Sequence, residues 1–212
     1  MEINVKNYTK KLKGVLVLDN INLQMTSGKI WGLAGPNGSG KTMLMRAIAG
    51  LIYPTDGCVE INGKIIGKDI SFPESIGILI ENPSFIANYS AVDNLKVLAS
   101  IKKKAGLEEI KRTLCDVGLD PDDKKVFRKF SLGMKQKLGI SAAFFENPDL
   151  IILDEPFNAL DADSVERVKK MIQKKKKEGA LIIIACHDKQ ELSELSDKII
   201  QIAEGHIERE EA

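Results

Sequence analysis

Apolar and polar positions change rhythm along this chain. Through "GVLVLDNINLQMTSGKIWGLAG" they alternate around Leu18, Ile21, Leu23 and Met25, with Asn, Ser and Gly as punctuation. A period near two residues lets a strand bury one face. The stretch therefore predicts antiparallel hairpin structure leading into a buried strand at residues 30–34. "CVEINGKIIG" predicts a second hairpin, with Asn62-Gly63 supplying the turn. "ESIGILIEN" reads as a further strand.

Over residues 84–147 the rhythm becomes helical. In "YSAVDNLKVLAS", Ser90 precedes Asp93 in a pattern like a capping box, and Val92, Leu95, Leu98 and Ala99 share a face. In "EEIKRTLCDVG", Ile110, Leu114 and Val117 form a stripe that stops at Gly118. "SLGMKQKLGISAAFF" places Met134, Leu138, Ala142 and Phe145 on one side of a third helix. Then "DLIILDEP" reads as a buried strand, and a helix over 163–178 turns Val165, Val168 and Ile172 inward with Gly179 as its cap. "ALIIIAC" is another buried strand, and "KIIQIAEGHIERE" closes the chain with a strand and an acidic tail. Wholly apolar strands that alternate with helices predict a parallel sheet covered on both faces. The organisation is one α/β core with a helical insertion, without internal repeat.

Composition narrows the function classes. The chain has 212 residues, and Lys+Arg 31 against Asp+Glu 30 leaves a formal charge of +1. A nucleic-acid binder would show a basic excess, so no nucleic-acid partner is expected. The apolar runs fall well short of the ~20 residues that cross a bilayer. The opening "MEINVKNYTKKLKG" lacks the apolar stretch of a secretory signal. Cys58, Cys115 and Cys186 are odd in number and form no CxxC pair, which predicts buried thiols in a reducing cytoplasm. The run Lys174–Lys177 ends a predicted helix, where cations suit the negative dipole end, and it reads as a solvated face.

The strongest chemical signal is Gly35-Pro36-Asn37-Gly38-Ser39-Gly40-Lys41-Thr42, which matches G-x-x-x-x-G-K-[ST] between a predicted strand and helix. Glycines let backbone N–H groups approach phosphate oxygens, and the following helix adds its positive end. Lys41 would reach the β- and γ-phosphates, and the Thr42 hydroxyl would ligate Mg²⁺. "LIILDEP" ends its strand on Asp154 and Glu155. Asp154 suits the Mg²⁺ shell, through water, and Glu155 suits a general base toward the attacking water. His187, at the end of "IIIACHD", would donate a hydrogen bond to the γ-phosphate from the same sheet edge.

These motifs, with "FSLGMKQKLGISAAFFENPDLIILDEPFNALD", resemble the ATP-binding subunit of ABC transporters over essentially the whole chain. Ser131 and Gly133 fall on the signature motif, Gln136 on the polar position just downstream, and Asn158 to Asp161 on the D-loop. The resemblance implies a P-loop NTPase (RecA-like) core with an N-terminal antiparallel β-subdomain and an inserted α-helical subdomain. It divides the single domain into 1–83, 84–147 and 148–212. It implies ATP and Mg²⁺ as ligands, and a second subunit facing the first head to tail. The signature motif of one then closes on nucleotide held by the other. It also implies a separate polytopic transmembrane permease, which places the chain in the cytoplasm on the inner face of the cell membrane.

Three departures from the family pattern involve four positions. Glu81, in "ILIENPSF", stands where most members carry a Gln that touches Mg²⁺. With "SLGMKQKLGI" it makes the chain look most like the bacitracin- and lantibiotic-type exporter subgroup. That implies export of peptides or small molecules. An importer subunit and a soluble ABC ATPase acting on nucleic acid or ribosomes are the other two readings. Leu12 stands where the family stacks an aromatic on adenine, leaving Leu12 or Val17 for apolar contact and Tyr8 as a poorly placed substitute. Leu132 and Met134 replace the commonest signature residues beside Ser131 and Gly133.

Overall fold

The computed structural model describes residues 1–211. Its first half opens with β1 (Glu2–Leu12), β2 (Val15–Thr26) and β3 (Ile30–Ala34), then α1 (Lys41–Ile48), β4 (Asp56–Ile61), β5 (Lys64–Ile65) and β6 (Ile76–Leu79). The helical insertion holds α2 (Ala91–Lys102), α3 (Leu107–Asp116) and α4 (Leu132–Phe144). The chain finishes with β7 (Leu150–Asp154), α5 (Ala162–Lys177), β8 (Leu181–Ala185), α6 (Lys189–Leu195), β9 (Lys198–Ala203) and β10 (His206–Glu211). Among the described residues no helix is long and apolar enough to cross a membrane.

Two sheets divide the strands. The first is antiparallel, in the order β2-β1-β4-β5. The second runs β10-β9-β3-β8-β7-β6 and is parallel except for β10. Every residue of β3, β7 and β8 is buried, including Asp154 at the end of β7, because both faces of these strands are covered. Side chains on one face of these strands join a core with the helical insertion, and those on the other join a core with α1 and the first sheet.

The N-terminal hairpin differs from the predicted one. The alternating stretch is one long strand, β2, and its partner is β1, with the turn at Lys13 and Gly14 in left-handed backbone. Register shifts between Val5 and Lys11 break the two-residue period of β1, so its buried Ile3, Val5 and Tyr8 sit among polar residues without a clean pattern. The Asn62-Gly63 turn joins β4 and β5 as expected. The acidic tail is instead β10, an edge strand on β9, whose exposure leaves it free of apolar patterning.

Within the insertion, Ser90 caps α2 by accepting a hydrogen bond from the Asp93 amide, and Gly118 ends the α3 region at φ +77°. α4 is buried on more than one stripe: Leu138, Gly139, Ile140, Ser141, Ala143 and Phe144 are all enclosed, while Met134 and Ala142 are half-buried. The reason is its seat on β6. A Cβ at Gly77 would meet the Ala143 carbonyl at 1.8 Å, so helix and strand approach as only glycine permits. Of the cysteines only Cys186 is buried; Cys58 is half-buried and Cys115 exposed, which corrects the expectation of three buried thiols. The lysine run is not wholly solvated either, since Lys175 and Lys176 pair with Glu178 and Asp197.

Candidate nucleotide site

The loop between β3 and α1 is shaped by its glycines. Gly35 holds φ +148°, and a Cβ there would lie 2.1 Å from the Ile202 carbonyl oxygen. Gly40, at φ +113°, is the N-cap of α1 and offers no side chain to its first turn, which leaves those amides open. Lys41 is buried and folds back over the loop, donating from Nζ to the carbonyls of Gly35 at 2.8 Å and Pro36 at 3.0 Å. Ser39 is 3% exposed, and its Oγ has no hydrogen-bond partner among the described residues.

The adjacent ends of β7 and β8 bring the acidic groups to this loop. Thr42 Oγ1 donates to Asp154 Oδ2 at 2.6 Å. Glu155 leaves the strand in left-handed backbone, φ +51°, which turns its carboxylate toward the end of β8. There Oε2 accepts from the His187 amide at 3.1 Å, and Oε1 lies 3.4 Å from His187 Nε2. Burial raises the proton affinity of Glu155 above the ordinary carboxylate range, with Asp154 adding to it and His187 and Lys41 opposing it. A cavity of about 380 Å³ is lined by Val17, Asn37, Gly38, Ser39, Gly40, Lys41, Thr42, Met43, Asp154, Glu155 and His187.

That cavity gathers most of the residues singled out in the sequence, and the others lie elsewhere. Glu81 is not on its wall: the carboxylate pairs with Arg46 Nη2 at 2.5 Å. Ser131 caps α4, its exposed hydroxyl accepting from the Met134 amide, and Gly133 packs so that a Cβ would lie 2.7 Å from the Ala159 carbonyl oxygen. Asp161 caps α5 through the Ser164 amide and hydroxyl at 2.8 and 2.7 Å. Val17 reaches the cavity and Leu12 does not. Tyr8 is fully buried and donates to the Ile52 carbonyl at 3.3 Å, so its ring is unavailable for stacking. Gln136, placed by sequence just downstream of the signature motif, donates to the carbonyls of Glu155 and Pro156, partners that the sequence did not indicate.

The residues fit a phosphate chain with a hard cation. Open amides, a buried unpartnered hydroxyl and a folded-back lysine are donors awaiting anionic oxygens. Thr42 and Asp154 supply hard oxygens for Mg²⁺, too few to hold it without the phosphates. Among the described residues no cluster of three or more His, Cys, Asp or Glu side chains could bind a metal alone.

Comparison with known proteins agrees with this geometry. The family model described as ABC transporter matches residues 18–158. The uncharacterized ABC transporter ATP-binding protein YybJ of Bacillus subtilis is 47% identical, covering 99% of this chain and 96% of that protein. The bacitracin transport ATP-binding protein BcrA of Enterococcus faecalis is 38% identical, covering 98% of this chain and 68% of that protein. The lantibiotic transport ATP-binding protein SrtF of Streptococcus pyogenes is 37% identical over 97% of this chain and 88% of its own length. Among solved structures, an ATP-binding subunit of an ABC transporter superposes with a TM-score of 0.90 at 25% identity, covering 100% of this chain and 90% of that one. The dimeric cassette MJ0796, in a post-hydrolysis state bound to ADP and Pi, superposes with a TM-score of 0.88 at 24% identity, covering 99% and 97%. The chain belongs to the ABC transporter ATP-binding family and is an ATPase.

Proposed function

We propose that this chain hydrolyses Mg-ATP to power an exporter of peptides or small molecules. Two copies would work as a head-to-tail pair beside a separate polytopic permease, on the cytoplasmic, inner face of the cell membrane. The observation that carries the catalytic part is the position of Glu155, held against His187 on the cavity that also presents Lys41 and the Thr42–Asp154 pair. The exporter part is supported by the bacitracin and lantibiotic transport relatives.

The residues divide the work. Amides of the loop at Gly35, Asn37, Gly38 and Gly40, with the unpartnered Ser39 hydroxyl, would receive the phosphates, and Lys41 would exchange its loop carbonyls for β- and γ-phosphate oxygens. Thr42 and Asp154 would hold Mg²⁺, which supplies charge neutralisation at the phosphates. Glu81 would join that shell once its pair with Arg46 opens. Glu155 takes a proton from the attacking water, a task that its raised proton affinity suits. His187 stays near Glu155 and donates to the γ-phosphate. Ser131 and Gly133 of one copy, with Asp161 beside them, meet nucleotide held by the other, where the α4 N-terminus adds its positive end. Val17 gives adenine an apolar wall without aromatic stacking.

The test is affinity purification of tagged Glu155→Gln protein from detergent-solubilised native membranes. A copurifying polytopic membrane protein without a solute-binding protein is the expected result. Recovery of a solute-binding protein would indicate an importer. Recovery of nucleic acid or soluble partners alone would overturn the transport reading.

A further inference from the structure

We propose that Gln136 is a positioning residue for Glu155, tying the catalytic carboxylate to the helix that begins at Ser131. The proposal rests on the reading of Glu155 as general base. Gln136 lies on α4 and is 9% exposed. Its Nε2 donates to the Glu155 carbonyl at 2.9 Å and to the Pro156 carbonyl at 3.1 Å. Both amide hydrogens are thereby used on adjacent peptide units. Those units directly follow the left-handed turn at Glu155, φ +51°, a conformation that costs an L-residue energy unless its surroundings hold it.

The opposite side of the turn is fixed by the sheet, where the Glu155 amide donates to the Ala185 carbonyl at 2.9 Å. The Glu155 peptide is therefore clamped between β8 and α4, and its carboxylate is aimed at His187 as a result. Two further contacts of α4 hold the chain just beyond. Gly133 packs against the Ala159 carbonyl, and Lys137 Nζ lies 3.8 Å from Asp161 Oδ2. Positions 133, 136 and 137 share one face of the helix, so α4 grips the segment from Glu155 to Asp161 as a unit. Movement of its N-terminal turn at Ser131 reaches Glu155 through Gln136.

Gln136→Met tests this, because it keeps length and volume while removing both donors. Full-length wild-type chain, Gln136→Met, Glu155→Gln and the double variant are compared in single-turnover hydrolysis of radiolabelled ATP with Mg²⁺, and steady-state kcat and KM are measured for the first two. A misplacement near 1 Å at a reacting group lowers turnover by up to about 100-fold. The expected result is a kcat lower by about 10- to 100-fold with KM for ATP within about twofold. In the Glu155→Gln background the same change should cause no further loss. Turnover within about twofold of wild type in Gln136→Met, or an equal loss in both backgrounds, would overturn the proposal. Full turnover in Glu155→Gln alone would remove the general-base reading, a failure visible without touching Gln136. Should Gln136→Met not fold, Gln136→Asn, whose amide falls one methylene short of the carbonyls, is expected to show the same split between kcat and KM. Wild-type kcat in that variant would count against positioning.

Discussion

The Thr42 hydroxyl donates a 2.6 Å hydrogen bond to Asp154 Oδ2, joining the first turn of α1 to the end of β7 across 112 residues of sequence. The bond consumes the only proton that Thr42 can give and leaves its oxygen lone pairs for a cation. Asp154 keeps its second oxygen. The pair thus presents its remaining oxygens together on the cavity wall.

Ser39 presents the opposite situation. Its hydroxyl is buried without a hydrogen-bond partner among the described residues. An unsatisfied buried polar group costs about 1–3 kcal/mol. Ser39→Ala should therefore raise the stability of the nucleotide-free protein by about 1 kcal/mol and reduce the further gain that Mg-ATP gives. Thermal melts with and without Mg-ATP read both effects. A less stable nucleotide-free protein would contradict this account of the site.

The shared-site arrangement makes a prediction about mixtures. Lys41→Ala removes the phosphate contact of one site, and Ser131→Arg blocks the signature turn. Each variant alone should be nearly inactive. Mixed in equal amounts, they form some dimers in which one site keeps both Lys41 and Ser131. Recovery of a measurable fraction of wild-type hydrolysis is expected from the mixture. A mixture no more active than its components would exclude shared sites.

Asp197 anchors the start of β3 and gives the chain a predictable pH response. Its Oδ2 accepts from the Ile30 amide at 2.8 Å, and Oδ1 accepts from Lys176. Burial pushes its proton affinity up, but the bonds from Lys176 and Ile30 and the charges of Lys176 and Lys29 outweigh that and lower the pKa. A carboxyl lowered in the folded state stabilises above its unfolded pKa, near 3.9, and that contribution fades as pH falls through the lower folded value. Because the carboxyl is partly solvated, the contribution is about 1 kcal/mol. Asp197→Asn should therefore cost about this much at pH 7 in urea unfolding, and the difference should fade as pH falls through the lowered folded-state pKa. A difference that did not change with pH would assign the effect to packing alone.

Legibility followed physical locality. Strands β3, β7 and β8 declared themselves because burial on both faces makes them almost continuously apolar, with Asp154 at the end of β7 as the exception that serves the site. β1 did not, since its bulges shift the buried face. β10 is an exposed edge, and α6 offers only Leu192 and Leu195 as buried positions. In the site, the loop from Gly35 to Thr42 and the adjacent Asp154 and Glu155 were readable as contiguous motifs. The Arg46–Glu81 pair and the reach of Gln136 to Glu155 were not, because both depend on side-chain direction between distant segments. Tyr8 likewise carries an aromatic near the expected place, and only the fold buries it.

The central claim is that Glu155 is the proton acceptor of a site closed by two copies. It is tested most directly by combining hydrolysis and light-scattering mass measurements on Glu155→Gln with Mg-ATP. The account predicts turnover lower by about 100-fold or more, unimpaired ATP binding and a stable dimer that dissociates when ATP is removed. Near wild-type hydrolysis, or a monomer at saturating ATP, would contradict it.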